Sequence, residues 1–407
     1  MMKASLVIPT YNRADILALT LDHLVQQDLP ADEFEVLIAD DGSTDDTPAV
    51  VDSYRDRLTL RYTWQQDRGF RAAAARNLAA EQATAPLLVF LDSGEMPTRG
   101  FVSGHVRAHN RPGLAVIGLM YGYDKRESDE RLSEEDLTYG PDELVARLIA
   151  GRRKLDIRER EFRAVDDDLS RCAAPYAYFW TCNVSVPTDD FRRVGGFDPS
   201  YVGWGGEDTE LGRRLHDAGL RLTVTRDANV VEFPHRRDRT EISASQRHNA
   251  DKSWRLHPDP AMELVTILKF DRVHRRLAEL TSVLPVVGGT PGHVITEAPA
   301  VVFGASALPA APGAIRVIDP DPRAAQGRVP FVNGFGFRTG LDDQAVAVAV
   351  IGAPVGDYPE WARALVYAEA HRIADQVIDL TGVAAPHTPC PDELLFPDQL
   401  RTLQGVA

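Results

Sequence analysis

The first quarter of the chain repeats one unit: a short apolar run, a polar cluster, then a stretch with helical spacing. The runs are Ala4 to Ile8, Phe34 to Ala39, Leu58 to Trp64 and Pro86 to Leu91. Runs this short and this uniformly apolar predict strands buried on both faces. Helices are expected from Arg13 to about Gln27, capped by Asn12, from Thr44-Asp45-Asp46 onward, and from Arg71 to Ala83. Strands alternating with helices specify a doubly wound, mostly parallel sheet. Ligands bind such sheets beyond the carboxyl ends of the strands. Thr10, Asp40-Asp41 and Asp92 all fall at those ends, which points to a nucleotide site.

A second stretch, Arg193 to Leu215, carries the expected chemistry. Gly203, Gly205 and Gly206 surround Trp204, and Glu207-Asp208 follow directly. Leu211 and Leu215 recur at helical spacing, so the two carboxylates sit in a first helical turn, whose partial positive charge favours ionised acids. An ionised carboxylate beside an aromatic plate suits a general base acting on a bound ring. The plain alternative is an acidic helix start after a tight turn.

The net charge of −15 over 407 residues argues against nucleic acid as a partner, since phosphate backbones want a basic face. Cys172, Cys182 and Cys390 lack zinc or CxxC spacing and read as buried thiols in a reducing compartment. Met1-Met2-Lys3 leads straight into an apolar strand, so no signal peptide is expected, and the apolar runs are too short to span a bilayer. A cytoplasmic protein follows, with peripheral membrane contact left open.

Leu114 to Leu119 reads as a fifth strand. Asp124 to Asp168 is densely charged around a helix at Asp142 to Ala150; it is either a solvated, mobile insertion or a lid over an acceptor. Tyr176 to Val186 reads as a strand, and Arg221 to Thr225 and Asn229 to Phe233 as a closing pair before Pro234-His235.

In order, the motifs are Pro9-Thr10-Tyr11-Asn12, Asp40-Asp41-Gly42-Ser43, Gly69-Phe70-Arg71 with Ala75-Arg76-Asn77, Phe90-Leu91-Asp92, Gly195-Gly196-Phe197-Asp198 and Gly203-Trp204-Gly205-Gly206-Glu207-Asp208. Over about residues 3 to 240 this resembles an inverting GT-A glycosyltransferase of family 2. The second half is similar to the β-galactosyl and N-acetylgalactosaminyl transferases. The resemblance implies an α/β, Rossmann-like GT-A fold and a nucleotide-sugar donor, UDP-linked. It implies donor contacts at Pro9, Thr10, Tyr11, Asp40, Asp41, Arg71, Arg76, Asp92, Ser93 and Trp204. Thr10 with Asp41 or Asp40 would hold the nucleoside, and Arg71 and Arg76 would offset diphosphate charge. Asp208 would be the base and Glu207 would bind sugar hydroxyls; Asn183 would face the same cavity. Asp92 matches the first acid of the family's Asp-x-Asp motif, but Gly94 stands where the second is usual. A Mn²⁺ or Mg²⁺ ion would then need Glu95, or Asp92 with His235, or would not be used.

After Trp254 the resemblance stops. Met262 to Leu284 reads as a helix that braces the catalytic domain or touches a membrane surface, and Pro285 to Gly292 as a linker. Strands at Ala300 to Phe303, Ala314 to Ile318 and Ala345 to Ile351, with a helix from Pro359 to Ile378, make a small α/β accessory domain. The division expected is 1–253 catalytic, 254–292 bracket and linker, 293–407 accessory. Gly288 to Gly292 lacks the Lys-Ser/Thr of a phosphate loop.

Gln246-Arg247 and Trp254 do not form the Gln-x-x-Arg-Trp of processive synthases, so a single transfer is expected, to a glycan, natural-product or peptide acceptor. A homodimer stays open. The rival readings are a non-catalytic sugar-nucleotide binder, suggested by Gly94, and a nucleotidyltransferase. The second needs a basic, Gly-rich loop after the first strand, which Pro9-Thr10-Tyr11-Asn12 is not.

Overall fold

The computed structural model describes residues 1–123, 132–234, 239–283, 300–304, 314–319, 331–386 and 394. The chain divides into two units, Met1–Asn249 and Ala250–Ala407.

The first unit opens as the alternation requires. β1 (Ala4–Thr10), α1 (Ala14–Leu24), β2 (Phe34–Asp40), α2 (Thr47–Ser53), β3 (Leu60–Trp64), α3 (Ala72–Ala80) and β4 (Leu87–Leu91) follow one another. β5 (Glu95–Pro97), α4 (Phe101–Ala108) and β6 (Leu114–Tyr121) come next. Then follow α5 (Pro141–Gly151), α6 (Glu159–Ala164), β7 (Asn183–Pro187), α7 (Thr188–Arg193), α8 (Glu207–Asp217), β8 (Arg221–Glu232) and α9 (Arg239–Leu256). The eight strands form one sheet in the order β3-β2-β1-β4-β7-β6-β8-β5. β1 pairs in parallel with β2 and β4, and β2 with β3; β7 runs antiparallel to both β4 and β6. The strand order reverses at β1, so the gap between the ends of β1 and β4 is the switch point where such sheets bind ligands.

Three expectations are corrected here. Tyr176 to Val186 is not one strand: a 3₁₀ turn at Pro175–Tyr178 precedes β7, because Pro175 and the buried Tyr176 and Tyr178 pack as a knot. The expected closing pair is one twelve-residue strand, β8, with a register shift against β6 between Ile117 and Leu119 that absorbs the polar Arg226-Asp227. The described part of the charged insertion is packed rather than loose. Leu144, Leu148, Phe162 and Leu169 have no exposed surface, and the fully buried Arg158 donates to Asp156 Oδ2 (2.7 Å) and to the Tyr178 carbonyl (2.9 Å).

The second unit contains α10 (Pro260–Ile267), α11 (Phe270–Val283), β9 (Ala300–Phe303), β10 (Ala314–Asp319), β11 (Phe331–Asn333), β12 (Val346–Ile351), α12 (Glu360–Ile373) and β13 (Ala374–Asp379). Its five strands are all parallel, in the order β11-β10-β9-β12-β13. The helix expected from Met262 to Leu284 is two, broken at Leu268, whose backbone is extended. Val273, Leu277 and Leu280 on α11 are buried, so its apolar face is packed within the protein. The helix expected to reach Ile378 stops at Ile373, where β-branched Val377 and Ile378 continue as a strand. Glu263 on α10 accepts from the backbone N–H groups of Phe335 (2.6 Å), Phe337 (2.6 Å) and Arg338 (3.0 Å) and pins the turn after β11. The expected linker, Pro285 to Gly292, lies outside the described residues.

Candidate active site

Parallel register sets the first wall of the site. Thr10 pairs with Asp40 and Asp40 with Trp64, so three strands end in one row. Asp40 is spent on its own turn. Its Oδ1 accepts from the N–H groups of Gly42 (3.0 Å) and Ser43 (2.7 Å), and its Oδ2 from the Tyr62 hydroxyl (2.6 Å). Asp41 instead ties together two neighbouring segments, accepting from Gln65 Nε2 (2.5 Å) and the Arg71 N–H (2.5 Å). Burial raises its pKa above the ordinary carboxylate value. The choice that the sequence left open is therefore narrowed: Asp40 builds the turn, and Asp41 lies against the Arg71 loop. The Thr10 hydroxyl is buried with no partner among the described residues. Buried polar atoms are nearly always paired, so this one is a natural place for a ligand group. Pro9 is half-buried beside Ala39, and Tyr11 is exposed with its hydroxyl donating to Asp67 (2.9 Å).

The second wall joins distant parts of the chain. Arg76, on α3 and 4% exposed, donates from Nη2 to Asp92 Oδ1 (2.8 Å) and from Nη1 to Glu207 Oε1 (3.2 Å). The end of β4 and the start of α8 thus meet at one guanidinium. Arg76 was expected to meet diphosphate directly; its two terminal nitrogens are instead engaged with carboxylates. Arg71 is half-buried, with a guanidinium nitrogen donating to the Gln66 carbonyl and lying 3.9 Å from Asp41. Asn77, next along α3, pins the Gly-Gly-Phe-Asp loop: its Oδ1 accepts from the Phe197 N–H and its Nδ2 donates to the Phe197 carbonyl (2.8 Å each).

Glu207 and Asp208 open α8, as the spacing predicts, with Leu211 and Leu215 fully buried behind them. Glu207 Oε2 is buried and has no hydrogen-bond partner among the described residues. Asp208 is half-buried and accepts from the Thr209 N–H (2.7 Å). Burial, then repulsion from Glu207, pushes its pKa up to about 7. The helix terminus was expected to keep this acid ionised; burial and the neighbouring charge outweigh it. A carboxylate poised there can take a proton near neutral pH.

Gly94 has φ +98°, and a Cβ on it would lie 2.9 Å from Ile16 Cγ2. A side chain at that position would be strained on this backbone and would displace Ile16. Glu95 is 3% exposed within β5, opposite Glu232. His235 lies outside the described residues. Among the described residues no three of His, Cys, Asp and Glu converge as a metal cage. Among the described residues, Asp92 is the candidate whose side chain reaches solvent, 39% exposed beside the half-buried Ser93. A single carboxylate suits an ion that completes its shell from phosphate and water, not one held by protein alone.

Asn183 is corrected. It is fully buried; its Oδ1 accepts from His105 Nε2 (2.8 Å), and its Nδ2 donates to the carbonyls of Leu119 and Ala228 (3.0 Å each), so it is a core pin and not a cavity residue. Sequence reasoning missed Gln65, Tyr62 and, on α9, Ser245 and Asn249. Ser245 accepts from the Trp204 N–H (3.0 Å), and Asn249 donates to the Gly205 carbonyl (2.8 Å). No motif marks either residue, because both lie past the end of the resemblance.

Residues 5–177 match the family model for glycosyl transferase family 2, and residues 163–236 the model described as the N-terminal domain of galactosyltransferase. The match to glycosyl transferase family 2 lies within the first unit, which has the GT-A fold. It is 47% identical over 262 residues to validoxylamine A glucosyltransferase of Streptomyces hygroscopicus subsp. jinggangensis, covering 64% of this chain and 62% of that protein. It is 33% identical over 252 residues to chondroitin synthase of Escherichia coli, covering 60% and 36%. Residues 1–349 of Staphylococcus aureus TarS superpose with a TM-score of 0.44 at 19% identity, covering 68% of this chain and 70% of that one. The chain spans about three fifths of the length of the validoxylamine A glucosyltransferases it matches.

Proposed function

We propose that this protein is an inverting glycosyltransferase that moves one sugar from a UDP-sugar to an acceptor hydroxyl. The observation that supports this reading is the Arg76 bridge, which links Asp92 at the sheet switch point to Glu207, the neighbour of Asp208. Thr10 and Asp41 would take the nucleoside, whose N–H and ribose hydroxyls are donors for a carboxylate. Glu207 Oε2, buried and unpaired, would accept from a sugar hydroxyl. Asp208 removes the acceptor proton as that oxygen bonds to the anomeric carbon; the bond to the diphosphate breaks on the opposite face and UDP leaves with the electron pair. Mn²⁺ or Mg²⁺, held by Asp92 when bound, would supply charge to the leaving diphosphate.

The 47% identical relative is named for glucosyl transfer to validoxylamine A, which favours UDP-glucose and a non-polymeric acceptor as the first pair to try. Release of UDP from UDP-glucose with Mn²⁺ and validoxylamine A tests the reading, followed by the Asp208→Asn variant. Turnover that depends on Asp208 supports it. Tight UDP binding without turnover on any acceptor would instead favour a non-catalytic binder, the alternative that Gly94 raises.

Among the described residues no helix is long and apolar enough to cross a membrane.

A further inference from the structure

Trp204 combines two properties that rarely occur together. Its residue surface is 38% exposed, yet the backbone around it is tied on two sides. From one side the Phe70 carbonyl accepts from the Gly203 N–H (2.9 Å). From the other, α9 supplies Ser245 and Asn249. Ser245 Oγ accepts from the Trp204 N–H (3.0 Å) and lies 3.4 Å from its carbonyl; Asn249 Nδ2 donates to the carbonyls of Val202 (3.2 Å) and Gly205 (2.8 Å). The contact is close: a Cβ on Gly203, which has φ +80°, would fall 2.4 Å from Ser245 Cβ. Gly203, Gly205 and Gly206 all have positive φ, so without external ties this loop has an unusually wide choice of conformations. An exposed indole on a loop of that kind stays put only if something outside the loop holds it. Asn249 is 1% exposed, so its amide serves the loop rather than solvent.

We propose that Ser245 and Asn249 are positioning residues for acceptor binding: they fix the Trp204 indole, which the family resemblance assigned to the donor, as a preformed plate for the apolar face of an acceptor ring. This rests on the glycosyltransferase reading and extends it. Neither residue touches the reacting atoms. Their effect is to remove the ordering cost that a glycine loop would otherwise add to each binding event. Phe70, 49% exposed and joined to Gly203 through its backbone, borders the same loop.

Two measurements on the full chain decide the matter. The first needs no substrate: amide hydrogen exchange over residues 202–206 in Ser245→Ala and Asn249→Ala. Exchange is expected to accelerate roughly tenfold at Trp204 in Ser245→Ala, with the thermal midpoint of the rest of the protein retained. Unchanged exchange there would overturn the clamp, whatever the protein's activity. The second uses UDP-glucose and validoxylamine A. Each variant is expected to raise the acceptor KM roughly five- to tenfold, the size of one lost net hydrogen bond, while the donor KM moves less than twofold. In a Trp204→Ala background, Ser245→Ala should add little, since its effect runs through the indole. Equal losses for donor and acceptor, or additive losses in the double variant, would overturn the positioning role. Absence of turnover in the unaltered protein would count against the glycosyltransferase reading instead.

Discussion

Asp92 and Glu207 share one guanidinium: Arg76 reaches the first at 2.8 Å and the second at 3.2 Å, across 131 positions of sequence to Glu207. Removing that cation leaves two carboxylates facing each other, one of them buried. Arg76→Met is expected to destabilise the first unit by about 3 kcal/mol, measured by urea unfolding. Arg76→Lys has one nitrogen for two partners and should fall between.

Asp208→Asn keeps the shape and the hydrogen bond from Thr209 but cannot accept the acceptor's proton. A drop in kcat of about 10²–10⁴ is expected, with UDP affinity retained in calorimetry. A smaller drop with weakened UDP binding would move the base elsewhere.

The raised pKa of Asp208 gives two pH dependences of opposite benefit. In its proposed role as base it must be ionised, so kcat/KM should climb with pH and level off above about 7. For stability the sign is reversed. The folded pKa lies above the ordinary value of 3.8, so the native state holds the proton more tightly, and stability is lost as pH rises toward 7. Asp208→Asn should therefore raise Tm at pH 8 and leave it nearly unchanged at pH 3. A pH-independent difference in Tm would refute the assignment.

Gly94→Asp would restore the usual second acid of the motif. On this backbone it meets Ile16 and a positive φ, so a loss of about 1–3 kcal/mol is expected, with no gain in Mn²⁺ affinity by titration. Conversely, Asp92→Asn should raise the Mn²⁺ concentration needed for half-maximal activity, and chelation should abolish turnover reversibly.

The sheet was legible because its central strands are short, apolar and closed by polar residues, a pattern that leaves little choice of register or direction. β8 and β13 were harder. Arg226-Asp227 interrupts β8 without ending it, since a register shift absorbs the break. β13 follows α12 with no glycine or proline between them, so periodicity ran on through the boundary. The motifs marked Asp92, Glu207 and Asp208 as candidates, but not the Arg76 bridge between the first two. Arg76 looked like a phosphate ligand because its chemistry is equally suited to phosphate and carboxylate. Only the fold decides which oxygens come within its reach. Asn183 misled for the related reason that a strand residue alternates faces, and its amide points to the His105 side.

The pairing of Arg76 with Asn77 on α3 has a mechanical meaning. One residue grips the acids, and the next grips the Phe197 backbone in the segment leading toward α8. A small tilt of this single helix would carry the donor edge and the loop before the base in the same sense. Under the proposed function, donor and acceptor sides would then shift together, because both hang from adjacent residues of one helix.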